Sequence, residues 1–101
     1  MSFLNDFNAS LTALEPPQGY SLALQALWWD AKGDWARAHE CAQACDDLEG
    51  AWAHAYLHRV EGDLANAGYW YRRAKRPVGV GDLAQERASI ALALKPAGAA
   101  L

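Results

Sequence analysis

Residues 51–75 read AWAHAYLHRVEGDLANAGYWYRRAK, and this stretch decides the fold. Apolar side chains recur at helical spacing on both sides of Gly62-Asp63. Glycine tolerates the left-handed conformation that follows a helix, and an aspartate side chain can cap the first turn of the next one. The stretch is therefore predicted to form two helices, residues 51–61 and 64–75, joined by a tight turn.

The same signal occurs once more, because Gly33-Asp34 precedes Gly62-Asp63 by 29 residues (62 − 33). Small residues recur at this interval and are listed here: Ala26, Ala55 and Ala84; Ala9, Ala38 and Ala67; Cys45 and Ala74. Helices pack closely only where no bulky side chain intervenes, so small residues at one phase indicate stacked copies of one unit. The interval predicts a duplicated helical hairpin.

The remaining segments complete one domain, residues 1–101. Residues 1–17 are predicted to hold an N-terminal helix that includes Leu14 and ends at Pro16-Pro17, since proline lacks the amide hydrogen that a helix needs. Residues 19–46 form the first repeat and residues 49–76 the second, with an acidic turn at 46–50. A capping helix lies within residues 80–95.

These features resemble the tetratricopeptide repeat. The matching elements are the small residue late in each first helix, Gly-Asp at each turn and Ala in each second helix, followed by Tyr71 in the second copy. The chain departs from the family at Ala42, where an aromatic residue is usual, and in its interval, which is shorter than the usual 34. The resemblance implies an all-α superhelix of five or six antiparallel helices. The segments HAYLHR, EGD and YWYRRA also resemble those of small uncharacterised bacterial proteins.

The resemblance further implies a concave groove lined by the first helix of each repeat. Its floor corresponds to Trp52, Tyr56 and Arg59 in the second copy, and to Ala23, Leu27 and Asp30 in the first. Aromatic residues and arginine dominate protein interfaces, and the chain contains five Trp and four Tyr. We therefore expect a protein-binding scaffold or adaptor that takes a peptide or a partner protein in this groove. Self-association as a homodimer is a second expectation.

A histidine-rich face supplies an alternative. His54, His58 and Glu61 are spaced so that they share one face of a helix, and the preceding helix carries further ligand types: His39, Cys41 and Cys45. This pattern would suit a small-molecule or metal-binding protein centred on His54, His58 and Glu61. The competing interpretation is packing, in which hydrogen bonds satisfy half-buried histidines. We take His54 and His58 as candidate partner-binding residues, and expect no metal and no other cofactor.

Catalysis has less support in the sequence. Cys41 or Cys45 beside His54 would make a thiol nucleophile, but no third group that orients the histidine and no oxyanion site can be identified. The expected role is therefore not enzymatic.

Charge and hydropathy limit the other classes. A formal net charge of −3 gives no field that would gather nucleic acid or an anionic membrane surface. No window has the roughly 18 apolar residues of a membrane span, and the N-terminus lacks the basic start and apolar run of a signal peptide. Two cysteines one helical turn apart suit free thiols in a reducing compartment. A cytoplasmic location is expected.

Overall fold

The computed structural model describes residues 2–99, and all regular secondary structure in that range is α-helical. The helices are α1 (Phe3–Ser10), α2 (Leu22–Ala31), α3 (Trp35–Ala44), α4 (Leu48–Val60), α5 (Leu64–Ala74) and α6 (Leu83–Ala93). The predicted all-α class is confirmed. Within residues 2–99, no helix combines the length and the apolar character needed to cross a lipid bilayer.

Each helix begins at a side-chain cap. The capping oxygen accepts the amide three residues later in every case, and the caps are Ser2, Ser21, Asp34, Asp47, Asp63 and Asp82. Gly33 and Gly62 have φ of +87° and +88°, the left-handed values that glycine reaches without a steric penalty. The two predicted Gly-Asp turns are therefore confirmed.

Two helix boundaries differ from the prediction. Helix α4 begins at Leu48 instead of residue 51, because Asp47 accepts the Gly50 amide at 2.8 Å and so converts the predicted acidic turn into a first helical turn. Helix α1 ends at Ser10, well before the prolines, and Leu14 is exposed.

The backbone beyond α1 is held by a distant lysine. Lys32 Nζ donates to the carbonyl oxygens of Leu11 and Ala13 at 2.8 and 2.7 Å. Pro17 has no amide hydrogen to offer the Ala13 carbonyl four residues earlier, so helical hydrogen bonding cannot continue through this segment. The apolar spacing alone therefore overestimated the length of α1.

The small residues that recur at the 29-residue interval are buried within the two central hairpins. Ala26, Ala38, Ala55 and Ala67 are all at most 2% exposed. The equivalent positions in the flanking helices, Ala9 and Ala84, are exposed. The 29-residue interval therefore corresponds to shared packing within α2–α5, and it does not extend to α1 or α6.

Helix α6 is placed by tertiary packing. Helices α2 and α3 pack mainly on each other, as do α4 and α5, while α6 contacts α1, α2 and α4. Its Ile90 and Ala91 belong to the same buried core as Leu27, Trp28 and Tyr56. Helix α6 thus lies against the first helices of both hairpins, on the surface expected to form the groove.

Candidate functional site

The six residues predicted to line the groove form one surface, which we call the α2/α4 floor: Ala23, Leu27, Asp30, Trp52, Tyr56 and Arg59. Tyr56 is only 1% exposed, and Ala23 and Leu27 are fully buried. These three side chains are therefore not accessible from outside in this structure. Helix α6 packs against α2 and α4 on this side.

Asp30 makes the first polar connection between the floor and α6. Its Oδ2 accepts from the Tyr56 hydroxyl at 3.0 Å and from Arg87 Nη1 at 3.2 Å. Burial, followed by the neighbouring Asp30 carboxylate, raises the pKa of Tyr56, so its hydroxyl stays a donor at neutral pH. The Arg87 guanidinium neutralises the charge of Asp30, whose side chain is only 8% exposed.

Arg59 makes the second connection. Its Nη1 donates to Glu86 Oε1 at 2.6 Å, and its Nη2 donates to the carbonyl oxygen of Gly81. Glu86 also accepts from the Tyr71 hydroxyl through its other carboxylate oxygen. The Arg59 and Glu86 side chains are 14% and 11% exposed, so this ion pair is largely removed from water.

Trp52 retains partial exposure, as do Asp30 and Arg59. The Arg76 guanidinium lies over the Trp52 ring, 3.9 Å from the centroid, a cation–π contact. Beside it is a cleft of about 370 Å³, bordered by the 77–80 segment and by Ser89 and Ile90 of α6. Trp52 is the one residue of the α2/α4 floor that lines this cleft.

A separate cluster is formed by His39 of α3 with His54 and His58 of α4. Nε2 of His39 and Nε2 of His54 lie 2.9 Å apart, so one nitrogen donates a hydrogen to the other. The His58 ring is stacked on that of His54 at 4.8 Å between centroids and lies 5.3 Å from that of His39. One ring nitrogen from each of the three residues falls within 4.8 Å of the others. We call this group the histidine cluster.

Aromatic rings and a carboxylate hold the histidine cluster in place. Trp70 stacks on His54 with centroids 3.9 Å apart, and Trp35 stacks on His39 at 4.8 Å. The Trp35 indole is itself anchored by a hydrogen bond from Nε1 to the Leu57 carbonyl oxygen. Behind the cluster, His58 Nδ1 donates to Glu61 Oε1 at 2.5 Å.

Burial keeps two of these imidazoles neutral. It lowers the pKa of His54 to about 4, with smaller effects from His39 and His58, and it also lowers the pKa of His39. His54 and His58 are 4% and 6% exposed, whereas His39 is partly accessible. At neutral pH His39 and His54 therefore have unprotonated ring nitrogens, and His39 is the one that solvent reaches.

The cysteines stand apart from this chemistry. Both are free thiols, and neither belongs to a group of metal-ligand atoms found among residues 2–99. The Cys45 thiol donates to Asp47 Oδ1 at 3.2 Å instead of meeting His54, and burial raises its pKa to about 11. A thiol that stays protonated is a poor nucleophile. The structure brings His54 and His58 together with His39, and it leaves Cys41 and Cys45 outside.

Two important residues were missed by sequence reasoning. Glu86 and Arg87 form the ion pairs of α6, yet the sequence analysis gave neither a role at the groove. In the sequence they are marked only as a pair of opposite charges one turn into an alanine-rich helix. Glu86 lies four residues and Arg87 three residues before the apolar Ile90. Such a pair is common on solvated helices, so the signal alone is weak.

We compared the chain with protein families, with curated proteins and with solved structures, and none matched.

Proposed function

We propose that this protein is a non-catalytic binding scaffold whose α2/α4 floor receives a helical segment of a partner protein. A single observation carries the proposal: two of the floor residues inferred from the repeat pattern bind one helix through ion pairs, and Leu27 and Tyr56 share a buried core with that helix. Helix α6 then acts as the resident occupant of a helix-binding surface.

The contacts of α6 define what the floor recognises. Arg59 takes a carboxylate and Asp30 takes a cation, and the two partners are consecutive residues, Glu86 and Arg87. Ile90 then enters the apolar core one turn later. A competing helix would need an acidic residue followed by a basic one, with small or branched apolar side chains one and two turns further on.

The connection to α6 makes exchange feasible. Residues 76–82 contain neither helix nor strand, and Val78 and Val80 within them are exposed. A helix joined to its binding surface by a short linker competes at an effective concentration of about a millimolar. A partner helix with the same contacts would therefore bind only weakly to the intact chain, and much better to a chain whose α6 has been weakened.

The test uses a fluorescent peptide of residues 80–95 and the full-length protein. We expect no binding to the wild type, and binding at about micromolar concentration, seen by fluorescence anisotropy, to a Glu86→Ala/Arg87→Ala double variant. A control peptide carrying the same two substitutions should not bind, because it lacks both charges that the floor recognises.

Circular dichroism decides whether the double variant is folded before the titration is interpreted. If it is not, the single Arg87→Ala variant replaces it, since the Arg87 side chain is 29% exposed and its loss is milder. A folded variant that fails to bind the native peptide would refute the proposal, as would equal binding of the two peptides.

The same exchange offers a route to a homodimer, in which α6 of each copy occupies the floor of the other. Size-exclusion chromatography with light scattering would detect it as a dimer that forms on slow refolding. We propose a cytoplasmic location for the protein, because two free thiols suit a reducing compartment.

A further inference from the structure

The chain contains three histidines, and all of them meet in the histidine cluster between α3 and α4. We propose that His39, His54 and His58 bind one divalent transition-metal ion of the zinc class, with a fourth coordination position left for water. The site lies away from the α2/α4 floor and does not depend on α6.

The spacing of the ring nitrogens is close to that of a bound ion. Two imidazole nitrogens on one tetrahedral zinc ion, each about 2.0–2.1 Å from the metal, are about 3.3 Å apart. His39 Nε2 and His54 Nε2 are 2.9 Å apart and share a hydrogen bond. An ion takes the place of that hydrogen, which moves to Nδ1 of the same neutral ring, and the two Nε2 atoms need to separate by about 0.4 Å. His58 already has a ring nitrogen within 4.8 Å of both.

The surroundings orient the rings as in a built metal site. In metal-binding histidines the second ring nitrogen commonly donates a hydrogen bond to a carboxylate, which fixes the tautomer and raises the basicity of the ring. Glu61 stands in that relation to His58. The stacked indoles of Trp35 and Trp70 restrict rotation of His39 and His54, so little conformational entropy is lost when an ion binds.

The ligand set indicates the kind of ion. Three imidazoles suit Zn²⁺, Cu²⁺, Ni²⁺ or Fe²⁺, whereas Mg²⁺ and Ca²⁺ prefer oxygen ligands. Glu61 and Asp63 also form a group with His58, but both carboxylates are exposed and Glu61 already holds Nδ1 of that ring. We therefore assign Glu61 as a positioning residue and the three imidazoles as the ligands.

The experiment titrates Zn²⁺ into full-length protein prepared without a histidine tag and stripped with chelator. Isothermal calorimetry should show one ion per chain, and Co²⁺ should give the intense visible absorption of a tetrahedral site. Because Trp70 lies against His54, Cu²⁺ should also quench tryptophan fluorescence at the same stoichiometry.

Variants distinguish this site from adventitious binding. His39→Gln changes the most accessible ligand and should weaken Zn²⁺ affinity by more than about 100-fold, while Glu61→Gln should weaken it by about 10- to 100-fold. Cys45→Ser, at the C-terminal cap of α3, is the matched control and should keep the wild-type affinity. Circular dichroism verifies that each variant is folded.

Two results would overturn the assignment. One is a wild-type protein that binds no Zn²⁺ at a tenfold molar excess over protein. The other is Zn²⁺ binding that persists unchanged in both His39→Gln and His54→Gln, which would place the ion on surface carboxylates.

Discussion

Removing the charge of Arg59 should loosen α6 more than any other single change at an ion pair in this chain. Arg59→Met keeps most of the aliphatic stem but leaves Glu86 at 11% exposure with only the Tyr71 hydroxyl as a side-chain partner. Breaking a buried ion pair costs about 3–5 kcal/mol, because one charge is left unpaired. The Tyr71 hydrogen bond and the residual exposure reduce this to an expected loss of about 2–3 kcal/mol.

The assay is thermal and urea unfolding followed by circular dichroism. A loss of this size should lower the unfolding midpoint by about 10–20 °C for a domain of this length. Arg37→Met is the matched control, since Arg37 pairs with Asp34 at 3.7 Å with side chains 60% and 42% exposed. Exposed pairs contribute at most about 1 kcal/mol, so the control should shift the midpoint far less.

A double variant sharpens the test. Arg59→Met/Glu86→Met removes both charges at once, so it should be at least about 1 kcal/mol more stable than the sum of the two single losses predicts. An Arg59→Met variant that loses no more stability than Arg37→Met would show that the ion pair does not hold α6. A double variant that loses the full sum would contradict the coupling.

Two further predictions concern the glycines of the helices and the buried imidazoles. Gly50→Ala should destabilise the protein by about 2 kcal/mol or more, because the added Cβ would lie 1.9 Å from the Cys45 carbonyl oxygen. Gly68→Ala should instead stabilise the protein by about 0.5–1 kcal/mol, because alanine favours a helix and the nearest atom to its Cβ is 3.7 Å away. Urea unfolding measures both changes. The reverse order would refute this reading of the two positions. The free energy of unfolding of the metal-free protein should fall by up to about 3 kcal/mol between pH 7 and pH 4. The pKa of His54 is about 4 in the folded protein and 6.5 in the unfolded chain, so the unfolded chain takes up the proton first as the pH falls. A His54→Gln variant should show a flatter profile in chemical unfolding measured across that range, and an unchanged slope would contradict the assignment.

The helices and their turns could be predicted because the signals that set them are local. An aspartate cap accepts an amide three residues later, and glycine at φ near +90° ends a helix within its own turn. Asp34 and Asp63 therefore behaved as expected. Asp47 caps α4 in the same way. The acidic residues around it led to the prediction of a turn at 46–50, so the predicted start of α4 was three residues too late.

The histidine cluster was only partly predictable. Helical spacing places His54 and His58 on one face of α4, and that much follows from the sequence. Whether His39 reaches them depends on the angle and register at which α3 packs on α4. That packing is not encoded in the spacing of the histidines.

The sequence by itself therefore determined that the chain is helical and where most of the turns lie, whereas the residues of the α2/α4 floor were implied by the resemblance to the tetratricopeptide repeat. Only the tertiary structure decided that the floor is covered. Arg87 meets Asp30 across 57 positions of the chain, and Glu86 meets Arg59 across 27. No local pattern fixes contacts at such separations, because they depend on how residues 76–82 turn the chain back. Burial of Ile90 and Ala91 in the core that α2 and α4 share removes apolar surface from water, and this holds α6 against those two helices.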